Sequence, residues 1–171
     1  MDTYMVVLRI VHIVAGAFWV GSAIVVFRFL QPAARELGPA ASPLMMNLSQ
    51  KRRLPDITLG AAGLTVLAGL LMYWRVSDGL DLDWIGSATG VAITLGAVAA
   101  IAAVSIGASV VRPSMLAAAA IGQEVAGSGG PPTPEQAARI QALQGKVRAS
   151  GTVIVPLLVF ALAAMAAARY L

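Results

Sequence analysis

The sequence predicts an all-α fold: a bundle of four transmembrane helices with a cytoplasmic helical hairpin between helices three and four. Three observations predict it. Hydrophobic residues make up 58% of the 171 and charged residues only 12%, about half the ~25% charged residues of an ordinary soluble domain. With a mean hydropathy of +0.82, such a chain has too few polar residues to cover its apolar surface in water. Four stretches reach the ~20 apolar residues that a bilayer span requires, at 4–30, 54–74, 84–111 and 150–168. The basic residues, finally, are sorted by loop.

That sorting gives the topology. Loops one and three with their helix ends hold Arg28, Arg35, Lys51, Arg52, Arg53, Arg112, Arg139, Lys146 and Arg148, nine of the twelve Lys and Arg residues. The opposite side holds Arg9, Arg75 and Arg169 with Asp2, Asp78, Asp81 and Asp83. The positive-inside rule then expects both long loops in the cytoplasm and both termini in the periplasm of a bacterial inner membrane. The pI of about 10.1 therefore reflects topology, and no nucleic-acid partner is expected. The expected partner is the lipid bilayer, whose anionic headgroups the basic loop ends attract. The chain reads as one integral membrane domain, 1–171. "MDTYM" lacks the basic start of a cleaved signal peptide, and the run behind it is of spanning length. With no cysteine, disulfides, thiolate metal sites and iron–sulfur clusters are excluded.

Taken in order, helix one is expected to end where "LQPAARELGPAASP" brings Pro32, Pro39 and Pro43. Ser42 then reads as the cap of a short interfacial helix, with Pro43 as its first residue. Pro55 admits helix two. Asp56 reads as an interfacial cap beside Arg52 or Arg53. The short acidic turn "RVSDGLDLDW" makes helices two and three antiparallel neighbours, with Trp74 and Trp84 as interfacial anchors. Gly86-x-x-x-Gly90 offers close helix approach. Segment 112–149 reads as a hairpin, its turn "GSGGPPTP" followed by Thr133, Pro134 and Gln136 in capping-box positions.

Chemistry concentrates in "LRIVHIVAGAFWVG". Met5, Arg9, His12, Gly16, Trp19 and Ala23 recur at a spacing near 3.5, so they share one helical face. Ionisable groups facing lipid are costly, which turns that face inward. Helix two has a matching stripe in Thr58, Ala62, Thr65, Gly69 and Met72. His12 falls roughly 12 Å below the outer surface at 1.5 Å per residue. An imidazole with thioethers nearby suits copper or haem, which makes His12, Met72 and Met165 candidate metal ligands. Arg9 and Trp19 join His12 as candidate cofactor-binding residues, Arg9 for a haem propionate or a headgroup and Trp19 as the floor of the pocket. The plain alternative is a histidine that only bonds a neighbouring helix, with methionines as packing.

The segment "LRIVHIVAGAFWVGSAIVVFRFL" resembles the first helix of the CopD and HemJ-like superfamily of small bacterial membrane proteins. The likeness lies in Arg9 three before His12, Trp19 seven after it, Gly21 shortly beyond and Arg28 at the inner end. "QKRRLPDITLGAAGLTVLAGLL" is similar to the second helix of that group, and "VVRPSM" and "AAMAAARYL" look like a four-helix branch of it. The resemblance implies haem b or copper handling through His12. It also implies protoporphyrinogen oxidation in the HemJ branch, where a lysine follows on the third helix. This sequence has no lysine or histidine there. Three functions are therefore in play: haem or copper handling, a non-catalytic accessory subunit of a larger membrane complex without a cofactor, and a porphyrinogen oxidase. One histidine per chain excludes bis-His haem within a monomer, so a haem would need Met72 or Met165 beside His12, or His12 of a second copy in a homodimer.

The charge asymmetry makes a direct prediction. A reporter fused after Leu171 should give a periplasmic signal, and a cytoplasmic signal would reverse the assignment.

Overall fold

A computed structural model describes residues 2–171, and every regular element among them is helical. Helix α1, Thr3–Val25, starts where the Asp2 carboxylate accepts the Tyr4 N–H at 3.1 Å. It does not end at Leu30. A π-helical turn, Val26–Leu30, carries it into α2, Gln31–Leu37, so that Thr3–Leu37 is one rod of 35 residues. Pro32 has no N–H, and its ring crowds the preceding turn. The wider turn, in which the Gln31 N–H reaches the Val26 carbonyl, makes room for it. Gly38, at φ 58, then ends the rod.

Loop one is itself helical. A 3-10 turn, Gly38–Ala41, runs directly into α3, Ser42–Met46. Ser42 is therefore already the first helical residue, and the cap position belongs to Ala41 with no side-chain bond. After a second π turn, Asn47–Lys51, the chain reverses at Arg53, held left-handed at φ 52. Helix α4, Leu54–Val76, begins there with Pro55 in its first turn.

The turn between spans two and three is built on Ser77, which is wholly buried and accepts the Leu80 N–H at 3.1 Å. A short α5, Leu82–Gly86, is capped by Asp81, and α6, Ala88–Ile106, is capped by Ser87. A Cβ at Gly90 would lie 2.0 Å from the Trp84 carbonyl oxygen, whereas Gly86 has nothing within 4 Å. Gly90 alone therefore closes the α5–α6 corner, against the backbone of Trp84 and Ile85, and the pair does not form a crossing between two spans.

The third span repeats the device of the first. A π turn, Gly107–Val111, hands over to α7, Arg112–Ser128, the Arg112 N–H bonds the Gly107 carbonyl, and Pro113 follows. Gly129 (φ 68) opens the turn that leads to α8, Pro134–Ala167, whose Thr133–Gln136 capping box is complete. Spans of 41 and 37 residues, Ala88–Ser128 and Pro134–Tyr170, extend about 60 and 55 Å at 1.5 Å per residue. Both exceed the ~30 Å hydrocarbon core. Their excess is α7 and the first half of α8, which pack on each other, with α3 seated on α7.

Four helices are long and apolar enough to cross a membrane, and packing pairs them as α1 with α4 and α6 with α8. The interior is small-residue in character: Ala23, Ala62, Ala103 and Gly16 are buried, joined by Trp19, Ile154 and Leu158. Large aliphatics point outward, among them Ile13, Val14, Leu67 and Val98. Close approach through small residues is how helices associate in lipid, where no hydrophobic force drives them together.

Candidate functional site

The α1–α4 seam is set by a reciprocal pair of glycines. A Cβ on Gly16 would come within 3.2 Å of Thr65 Cγ2, and one on Gly69 within 2.9 Å of His12 Cε1. Each glycine thus receives the partner helix's polar side chain. The two contacts run in opposite chain directions, which fixes an antiparallel register with Arg9 level with Met72 and Ala23 level with Thr58.

His12 uses that register. Its Nδ1 lies 2.7 Å from the Thr65 carbonyl oxygen. A carbonyl only accepts, so Nδ1 carries the proton, and in the neutral ring the lone pair is left on Nε2. The bond is possible because the next turn over that carbonyl is Gly69, whose missing side chain opens the oxygen to the ring. The Thr65 hydroxyl does not compete, since it donates to Ala61 O at 2.8 Å along its own helix. Among the described residues Nε2 has no partner and is not sealed from its surroundings. Metal-binding histidines are oriented in this way, one nitrogen held by a carbonyl and the other free to ligate.

The remaining candidates divide. Met72, half-buried, is on the α4 face of Thr65 and Gly69, one turn beyond the His12 contact. Arg9 is exposed and forms no ion pair among the described residues. Trp19 is two turns from His12, packed in the shared core and facing a different recess. Met165 fills the α6–α8 seam, where a Cβ on Gly96 would meet its Cγ at 3.1 Å. The structure therefore puts His12 and Met72 on one seam, with Trp19 two turns further along it beside Ala62, and leaves Met165 between α6 and α8. No three His, Cys, Asp or Glu side chains converge among the described residues, so a metal here would rely on imidazole and thioether donors.

Two polar ties escape sequence reasoning. Asp56 does pair with Arg53, at 3.3 Å, but its shorter contact is to Arg112, 2.7 Å away, on the far side of span three. Tyr73 OH lies 2.6 Å from Thr94 Oγ1. Because the Thr94 hydroxyl already donates to Gly90 O at 2.7 Å, Tyr73 is the donor, tying α4 to α6. In the sequence only the charge of Arg112 and the hydroxyl of Thr94, able to bond across helices or to its own backbone, hint at these partners. A cleft of about 70 Å³ opens between the pairs, bordered by Trp19, Pro55, Met115 and both π turns at Phe27 and Gly107.

The seam has a testable cost. Gly69→Ala should displace the His12 ring and destabilise the bundle by about 1–3 kcal/mol, the range for overpacking. Gly63→Ala, on the same helix with nothing within 4 Å, should be close to neutral. Unfolding in detergent micelles measures both, and in a His12→Ala background the Gly69→Ala penalty should disappear. Equal effects of the two glycine substitutions would contradict this geometry.

No protein family, curated protein or solved structure matches this chain.

Proposed function

We propose that this chain is a multi-pass protein of a bacterial cytoplasmic membrane that handles copper(I) or haem through Nε2 of His12. One observation carries the reading: the Nδ1–H bond to the Thr65 carbonyl at 2.7 Å, which orients the ring and leaves Nε2 as a ligand. Met72 on the same seam supplies the soft thioether that copper(I) accepts beside an imidazole. The likeness of the first span to the CopD and HemJ-like superfamily supports the same reading.

Copper fits these residues better than haem. The chain has one histidine, and neither described recess adjoins it. A haem would need a methionine such as Met72 or Met165 as its second ligand, or His12 of a second copy across a two-fold interface, with Arg9 near its propionates. Porphyrinogen oxidation is disfavoured, since α6 has no lysine or histidine. In this reading the basic loops, and with them α7 and the first half of α8, lie in the cytoplasm, and His12 lies in the periplasmic half. A specific observation also favours an accessory-subunit role: the same hydrogen bond serves as a complete interhelical clamp without any ligand.

Metal analysis and an absorption spectrum of the purified protein separate the two. Copper retention or a haem band in the wild type, lost in His12→Ala and weakened in Met72→Leu with helicity unchanged, supports the ligand role. If the wild type binds neither, His12 is a clamp and the accessory reading takes its place.

A further inference from the structure

At the opposite end of α1, about 24 Å along the axis from His12, the first and fourth spans enclose a recess of about 210 Å³. Arg28, Gln31 and Arg35 line one wall, and Arg148, Gly151 and Thr152 line the other. We propose that the three arginines form a binding site for a phosphate-bearing anion, supplied by an anionic phospholipid headgroup or by free phosphate.

The wall on the first span follows from spacing. Arg28, Gln31 and Arg35 stand at i, i+3 and i+7, which places them on one side of the rod. The π turn contributes, since its extra residue re-aims the side chains beyond it. The opposite wall is pressed close by a glycine. A Cβ on Gly151 would lie 2.4 Å from Phe27 Cδ1, so only glycine lets α8 reach the Phe27 ring. That contact holds Arg28, next to Phe27, opposite Thr152, next to Gly151.

The electrostatics are one-sided. Both salt bridges among the described residues end on Asp56, and none of the three guanidiniums has a carboxylate within ion-pair distance. Glu36, adjacent to Arg35 in sequence, pairs with none of them. Three like charges around one recess repel, and an anion between them reverses that energy. Guanidinium forks match phosphate oxygens two at a time, and the Gln31 side-chain amide adds a neutral donor. The recess is several times the ~30 Å³ share of a water molecule. It straddles the inner ends of the apolar stretches 4–30 and 150–168, which in the proposed topology is the level of the headgroups, and Phe27 and Pro32 supply an apolar edge beside it. Basic pockets between spans at this level suit acidic headgroups.

The test uses the full chain, delipidated in a neutral detergent. Thermal unfolding is followed on titration with phosphatidylglycerol, with phosphatidylcholine, and with inorganic phosphate. The wild type should be stabilised by phosphatidylglycerol and unmoved by phosphatidylcholine. Arg35→Gln/Arg148→Gln should weaken the phosphatidylglycerol response by about tenfold or more. Arg139→Gln/Lys146→Gln, which removes the same charge from α8 residues outside the recess, should change it less than about twofold. All three arginines are exposed, so folding is untouched by these changes. A response to millimolar phosphate as strong as to the lipid, with the same variant pattern, assigns the site to the free anion. A response to the lipid alone assigns it to a headgroup. An unresponsive wild type, an unaffected Arg35→Gln/Arg148→Gln variant, or equal losses in both variants would overturn the site.

Discussion

The contact between His12 and the Thr65 carbonyl, seated over Gly69, organises the first half of the molecule. An interhelical hydrogen bond in a membrane averages only about 0.6 kcal/mol, so the bond is not what holds the helices together. Its weight is geometric. It requires glycine at 69, a helix offset that brings Gly16 under Thr65, and a proton on Nδ1. From that offset follow the level of Arg9 beside Met72 and the depth of Trp19, two turns further on in the core. The same contact fixes a seam and leaves Nε2 without a partner among the described residues, so the proposed ligand role falls on a side chain that is also structural.

The rest of the bundle follows a complementary rule. Small residues lie inside and large ones face outward, so close backbone approach, and not side-chain bulk, sets the spacing. Gly96 under Met165 and Gly151 under Phe27 are further cases of that rule. The first and third spans pass Pro32 and Pro113 by widening the turn before each, whereas α8 carries Pro156 without a π turn. At Val26–Leu30 and at Gly107–Val111 the rod continues, and both turns border the cleft beside Trp19. Below it, Arg112 binds Asp56 across the chain at 2.7 Å and joins spans two and three.

Much of this was legible in the residues. Hydropathy gave the four spans because lipid imposes a length and a composition that few other environments demand. The part of the stripe from His12 to Ala23 identified the inward face of helix one, because helical periodicity is a local property, whereas Arg9 on the same stripe is exposed. The Thr133 cap was equally local. Pro32 misled, since a proline reads as a stop unless the turn before it widens, and no residue pattern announces a π turn. Ser42 misled because the 3-10 turn ahead of it had already begun the helix. Partners of Asp56, Tyr73 and Met165 depended on which span lies beside which. Four apolar helices leave that question open until packing answers it.

The arrangement of the seam is most directly examined by nitrogen NMR of histidine-labelled protein in bilayers, where the single histidine gives one unambiguous pair of ring resonances. A protonated Nδ1 in contact with the Thr65 carbonyl carbon is the result this geometry requires. A proton on Nε2 with a bare Nδ1, or a ring without contact to Thr65, would contradict it.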